Sequence, residues 1–247
     1  MRAFDDLVAE AVAADVTGWG FGWLDGRAAE ERPPWGYAKM LAEQLREVDA
    51  ALDIDTGGGE VLNEAPTLPA TMVVTEGWPS NAERASALLG PRGVTVATAT
   101  SGLPDGAFDL VTSRHPIAPD WAEIHRLLRP GGRYFAQHVG PSSAFELIEV
   151  FTGPLPRENQ PRDPDVERGG AERAGLVLED LQSVRCRMEF FDIGAIVWTL
   201  RKCVWWVPDF TVERYREQLL ALDARMRSGE PIVAHSTRHL VRAVRPV

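Results

Sequence analysis

The chain has 247 residues, 45% of them hydrophobic and 25% charged, with a net charge of −10. This length suits one α/β domain with an insertion, and the composition is that of a folded protein rather than a disordered one. The acidic balance disfavours a nucleic-acid partner, no apolar run reaches the ~18 residues of a transmembrane helix, and Cys186 and Cys203 lack metal-type spacing.

The first residues lack a basic segment leading into an apolar core, so a cytoplasmic location is expected. Phe4, Leu7, Val8, Ala11, Val12 and Val16 recur at helical spacing, which predicts an amphipathic helix over residues 4–16. Glycines then alternate with Trp19, Phe21 and Trp23. This loop either packs the N-terminal segment onto the domain or forms an aromatic lid over a ligand. Pro33-Pro-Trp-Gly-Tyr37 opens a second helix running to about Glu47. Trp35 and Tyr37 thus stand just ahead of the next stretch and can close over it.

That stretch, Ala51-Leu-Asp-Ile-Asp-Thr-Gly-Gly-Gly-Glu60, reads as a buried strand entering a glycine turn and then a helix. Gly57, Gly58 and Gly59 permit positive φ and close approach of a ligand to backbone N–H groups, as in the nucleotide-binding corner of a doubly wound sheet. A second strand follows at Thr71–Thr75, ending in Glu76, 17 residues past Gly59. An acid near that offset accepts hydrogen bonds from ribose hydroxyls. A helix over 81–89 leads to a third strand at 93–97. A fourth strand at 108–112 delivers Ser113, Arg114 and His115 to the edge where open α/β sheets bind ligands. A helix over 121–128 stops at Arg129-Pro-Gly-Gly132, and a fifth strand, 133–139, carries Gln137 and His138 at its end on opposite faces.

In Leu52-Asp-Ile-Asp-Thr-Gly-Gly-Gly-Glu60, Glu76, Asp105-Gly-Ala-Phe-Asp-Leu-Val111 and Leu127-Leu-Arg-Pro-Gly-Gly-Arg133 the chain resembles the class I S-adenosylmethionine-dependent methyltransferases, particularly those with small-molecule substrates. The resemblance covers residues from roughly 50 to 140, in the family's order and spacing. It implies that Asp53 and Gly57–Gly59 surround the methionine and ribose parts of S-adenosylmethionine, that Glu76 holds the ribose hydroxyls, and that Trp78 flanks the adenine. Two positions depart from the family pattern. Asp55 stands where the first glycine is usual, and its side chain either crowds the methionine end or binds the cofactor's ammonium. The end of the third strand, Ala97-Thr-Ala-Thr-Ser-Gly102, offers hydroxyls where an acid is common.

Beyond 140 the sequence predicts a short helix at 145–151, a connecting loop through 170, and a helix at 172–175 leading to the strand-like Leu176-Val-Leu-Glu-Asp180. A sixth strand is expected at 184–191, helices at 193–203 and 212–226, and a last strand at 237–244. The expected architecture is a Rossmann-like, doubly wound seven-stranded sheet. It comprises an N-terminal helical cap (1–48), a cofactor-binding half (49–140) and a C-terminal half (141–247) with a helical insertion at about 192–226 between strands 6 and 7. Trp198, Trp205, Trp206 and Phe210 fall in or beside that insertion, either lining a pocket or packing it onto the domain.

The expected reaction is methyl transfer to an O or N nucleophile of a small molecule, with no metal. Asp53, Asp55, Gly57–Gly59, Glu76, Trp78 and Tyr37 serve the cofactor, and Arg114, Gln137, Trp205 and Trp206 the acceptor. His115 and His138 are candidate bases, because histidine titrates near working pH. The alternative is a methyltransferase-fold binding protein whose Asp55 has weakened or ended cofactor use. A nicotinamide-dependent oxidoreductase is disfavoured by Leu62 where a third glycine would stand.

Overall fold

A computed structural model describes residues 2–18, 20–158 and 160–247; Trp19 therefore lies outside the described residues. The helices are α1 (Phe4–Ala13), α2 (Tyr37–Leu45), α3 (Glu60–Asn63), α4 (Pro79–Leu89), α5 (Trp121–Leu127), α6 (Phe145–Thr152), α7 (Pro164–Arg173), α8 (Ile193–Lys202) and α9 (Arg216–Arg227). The strands are β1 (Ala28–Glu30), β2 (Ala50–Ile54), β3 (Thr71–Thr75), β4 (Thr95–Ala97), β5 (Phe108–Arg114), β6 (Leu128–Val139), β7 (Val177–Phe190) and β8 (Ile232–Val244). Among the described residues these eight strands follow the sheet order β1-β7-β8-β6-β5-β2-β3-β4. The architecture is the expected Rossmann-like α/β sheet with one strand more than the seven read from sequence. The addition is β1, three residues antiparallel to the end of β7 (Ala28↔Phe190). So short an edge strand has no periodicity to announce it and forms only because β7 offers a ladder.

The chain divides into two compact units: residues 33–141, 159–184 and 238–247, and residues 1–32, 142–158 and 185–237. The first holds β2 to β6 with α2 to α5 and α7. β2 lies between β3 and β5, both parallel to it, so the sheet switches direction of winding there. β8 runs antiparallel to β6 with Ala136 opposite Val241. Leu52, Val111, Leu127, Tyr134 and Val241 fill one face of this sheet, and Leu41, Leu45, Val74, Leu110 and Phe135 fill the other.

Two of the sequence motifs have a structural cause in this unit. The buried Asp109 carboxylate accepts the N–H groups of Asp49 and Ala50 at 2.9 and 3.0 Å, fixing the start of β2, and pairs with Arg129 at 2.5 Å. Arg129-Pro-Gly-Gly132, read as a break ahead of the fifth strand, lies inside β6 as a bulge: Phe108 pairs with Leu128, but Leu110 pairs with Arg133. Gly131 has φ +77°, and a Cβ on Gly132 would stand 2.8 Å from the Arg129 carbonyl oxygen. Only glycine fits there.

The loop expected through residue 170 is also corrected, because α7 occupies its end. Its inward residues are Glu167 and Ala171, and its Gly170 lies against Trp121, where a Cβ would come within 2.6 Å of the ring. A helix whose buried face is an acid and small residues has no apolar stripe to read.

The second unit is organised on α8, which is buried almost throughout. A Cβ on Gly194 would stand 2.9 Å from the Leu7 carbonyl oxygen, so glycine admits α1 at close range. The cationic end of α8 satisfies carbonyls at the end of α1 and beyond it. Arg201 donates to Ala11 and Ala14, and the Lys202 ammonium to Val16, Thr17 and Gly18 at 3.2, 3.4 and 2.9 Å. Trp23 stacks on Trp198 at 5.6 Å, Phe21 meets it edge-on, and the Lys202 ammonium sits 5.2 Å from the Phe21 and Trp198 rings. Of the two readings of the glycine–aromatic loop, Phe21 and Trp23 follow the packing one.

Candidate functional site

The site is built on the loop between β2 and α3, at the point where the sheet changes winding direction. Asp53, near the end of β2, is buried beside Thr112 of β5, whose hydroxyl donates to Asp53 Oδ1 at 2.6 Å. Burial raises the Asp53 pKa, against hydrogen bonds from Thr112 and Thr56 that lower it. The chain then turns with three residues in the left-handed region: Asp55 (φ +55°), Gly57 (+66°) and Gly59 (+83°).

The turn is tied to the end of β3. Asp55 N–H donates to Thr75 Oγ1 at 3.3 Å, and Thr56 N–H to the Thr75 carbonyl at 3.0 Å. The Glu76 carboxylate accepts from Gly57 N–H at 2.9 Å through one oxygen and from Trp78 N–H at 2.7 Å through the other. Each oxygen keeps lone-pair capacity for a further donor such as a hydroxyl. Gly59 is needed by the fold itself, since its Cβ would lie 2.7 Å from Leu89 of α4. α3 is a single turn of four residues, shorter than the helix start suggested, so the loop rather than a helix dipole shapes this corner. Trp78 is exposed beside it.

Asp55 stands apart from its neighbours. Its side chain is exposed, and no hydrogen bond or ion pair to its carboxylate occurs among the described residues. Partial desolvation and the nearby Glu76 charge both raise its pKa.

The ends of β5 and β6 form the other wall. Tyr37, at the start of α2, is buried, stacks on Phe135 at 5.2 Å and donates to the Ser113 carbonyl at 3.3 Å. Its phenol is pushed well above the usual range by burial and by the Asp53 charge, so it remains protonated. Trp35 Nε1–H donates to Gln137 Oε1 at 2.8 Å, which leaves the Gln137 amide N–H to donate to His115 Nε2 at 2.9 Å. His115 (φ +59°) is therefore neutral with its proton on Nδ1. Burial, followed by Arg114, Arg238 and Arg162, brings its pKa down to about 3. Arg162, which sequence reasoning passed over, fastens this wall: it donates to the Val139 and Pro116 carbonyls at 2.8 and 2.7 Å, and to that of Ile117. Arg114 is exposed at the end of β5.

His138 has a different setting. It is buried beneath Trp121, with Nδ1 donating to Glu167 Oε1 at 2.9 Å and Nε2 2.9 Å from the Tyr134 hydroxyl. His239 lies directly opposite it on β8, with Nδ1 3.7 Å from the other Glu167 oxygen. Both ring nitrogens of His138 are thus engaged inside the core. Trp205 and Trp206 belong to the other compact unit, where Trp205 is exposed and Trp206 half-buried against the core. Trp198 and Phe210 pack in that core, with Phe210 stacked on Tyr215 at 5.8 Å.

Asp53, Asp55, Gly57, Glu76 and Trp78 therefore meet at one corner, and Trp35, Tyr37, Gln137 and His115 form one hydrogen-bonded and stacked wall of the same unit. Thr75 and Thr112 complete the corner. They are hydroxyl-bearing residues inside β-branched strands, and nothing in the sequence separates them from ordinary strand residues.

In sequence, residues 52–136 match the methyltransferase domain family. No curated protein matches the chain. A candidate methyltransferase of Bacillus halodurans superposes with a TM-score of 0.60 at 19% identity, over 85% of this chain and 97% of its own. The YcgJ protein of Bacillus subtilis gives 0.59 at 16% identity, over 85% and 98%. The [4+2]-cyclase SpnF gives 0.53 at 17%, over 85% and 80%. Residues 52–136 are thus similar in sequence to the methyltransferase domain family, and most of the chain shares its fold with a candidate methyltransferase.

Proposed function

We propose that the chain is an S-adenosylmethionine-dependent methyltransferase acting on an O or N nucleophile of a small molecule. The observation that carries the reading is the Glu76 carboxylate, held at the end of β3 by the N–H groups of Gly57 and Trp78 beside the glycine turn. The donor set fits the cofactor. Glu76 has lone pairs left for two ribose hydroxyls, Asp53 and Asp55 offer carboxylates to an ammonium, and exposed Trp78 offers a face to adenine. The cofactor, when bound, supplies an electrophilic methyl group.

The protein's part is then mainly to orient. Tyr37, Trp35, Gln137 and His115 form a wall of fixed donors and acceptors, with Arg114 at its rim to meet an anionic portion of an acceptor. His115 has a pKa near 3 and its free nitrogen lone pair already accepts the Gln137 amide, so it is a weak base at neutral pH. The role of base offered for His138 finds no support, since its nitrogens serve Tyr134 and Glu167. Among acceptors, this favours a neutral amine or an oxygen already ionised in solution, neither of which needs a strong base. Trp205 and Trp206 enter as acceptor contacts only as part of the same proposal. The net charge of −10 supports a small-molecule acceptor over a nucleic acid, and no helix among the described residues is long and apolar enough to cross a membrane. We place the protein in the cytoplasm because a chain with only two cysteines, without metal-type spacing, suits a reducing compartment.

Calorimetric titration with S-adenosylmethionine tests the reading. Micromolar binding to the wild type is expected, and screening of amine and phenolate acceptors for methyl incorporation then follows. Absence of heat at millimolar cofactor would leave a methyltransferase fold put to another use.

A further inference from the structure

Asn81 lies on the first turn of α4, three residues after Trp78. With Ala85 and Leu89 it forms the buried line of that helix, and Leu89 packs against Gly59 of the glycine turn. The line therefore faces the turn. Helical side chains lean towards the N-terminus, so the Asn81 amide is directed back to the corner of Glu76 and Trp78. Asn81 is only 4% exposed. Its backbone N–H donates to the Trp78 carbonyl at 3.0 Å, but its side-chain amide makes no hydrogen bond among the described residues. Gln137, buried to the same extent, has both ends of its amide engaged, by Trp35 and His115. Taking an amide out of water without partners is destabilising, and Ala85 and Leu89 show that apolar side chains suffice for packing along this line. Asn81 thus carries a donor and an acceptor that the fold itself does not use, beside the exposed ring of Trp78.

We propose that Asn81 reads the edge of the adenine ring and makes this corner specific for a 6-aminopurine. The inference rests on the cofactor assignment proposed above. Adenine carries its amino group between two ring nitrogens, so on either side of that group a donor stands next to an acceptor. A carboxamide presents an acceptor and a donor side by side, and it can match either edge with two hydrogen bonds. The stretch that follows β4, Thr98-Ala-Thr-Ser-Gly102, has hydroxyls but no acid to accept from the amino group. Selection of the base then falls to the amide. Trp78 supplies a surface for the face of the ring, and Asn81 tests its edge. Asn81 is on this reading a specificity-determining residue for the base, and it takes no part in methyl transfer.

The experiment is titration calorimetry with S-adenosylhomocysteine and with its analogue in which purine, lacking the 6-amino group, replaces adenine. The wild type is compared with Asn81→Leu and Asn81→Ala after thermal melts establish which variants fold. Leucine keeps the volume of the side chain and alanine avoids any clash, so one folded variant is enough. The wild type is expected to bind the adenine ligand at least about tenfold more tightly than the purine one. In a folded variant the gap is expected to fall to about threefold or less, through weaker binding of the adenine ligand. Equal affinities in the wild type, or a gap that the variants leave intact, would overturn the inference while leaving the cofactor reading in place. Failure of the wild type to bind either ligand would instead remove the cofactor reading, and the inference with it.

Discussion

Glu76 is bonded to the glycine loop before any ligand is considered, and this changes what its removal should do. A free ribose-binding acid would affect only the ligand, whereas Glu76 also fixes the N–H groups of Gly57 and Trp78. Glu76→Ala is therefore expected to weaken S-adenosylmethionine binding by about 1.5–3 kcal/mol, the worth of hydrogen bonds to a charged group. It should also speed amide exchange over residues 55–59. Calorimetry and hydrogen exchange on one preparation separate the two effects, and unchanged exchange would show that the loop holds itself. Thr75 makes the same point in reverse. Its hydroxyl and carbonyl both receive N–H groups of the turn, yet in the sequence it is one more β-branched residue of a strand.

At the scale of elements, α7 and α8 are each held by buried charge. Glu167 joins α7 to β6 and β8 through His138 and His239. Burial alone would raise its pKa, but contacts with the two histidines outweigh that and bring it down to about 2 from an ordinary 4.5. A depressed carboxyl pKa stabilises the fold above the unfolded value and loses that contribution as pH falls. The stability from Glu167 should thus be complete above about pH 4.5 and vanish towards pH 2, to the extent of about 3 kcal/mol. Denaturant unfolding of Glu167→Gln against wild type, repeated across that range, should show a deficit at pH 7 that closes on acidification; a pH-independent deficit would assign the effect to packing. For α8, Lys202→Met keeps the apolar stem but leaves three carbonyls of residues 16–18 without their donor. A loss of about 1–3 kcal/mol is expected, with faster exchange over residues 15–24. The elements that were hardest to read belong to this class, since a helix anchored by an acid resembles a loop and a three-residue edge strand resembles nothing.

For the molecule as a whole, the ligand should act on stability by mass action. Cofactor at about a hundred times its dissociation constant adds about 2.7 kcal/mol to whatever unfolds with the site. Scanning calorimetry with S-adenosylhomocysteine should show one shifted transition if the two compact units unfold together, and one shifted and one unshifted transition if they do not. No shift in either would count against the cofactor. The sequence determined the alternation of strands and helices, the glycine turn and the acid after β3. These depend on local preferences: β-branched runs, glycine at positive φ, and prolines at helix starts. It determined the family likeness of residues 52–136 for the same reason, because Asp109 and Arg129-Pro-Gly-Gly132 act within a few residues of the strands they shape. Tertiary structure alone decided which of several histidines are sealed in the core, and that Glu167 is a buried partner rather than a loop acid. Burial and the pairing of charges are set by residues distant in the chain, and one sequence read in order does not show which of them meet.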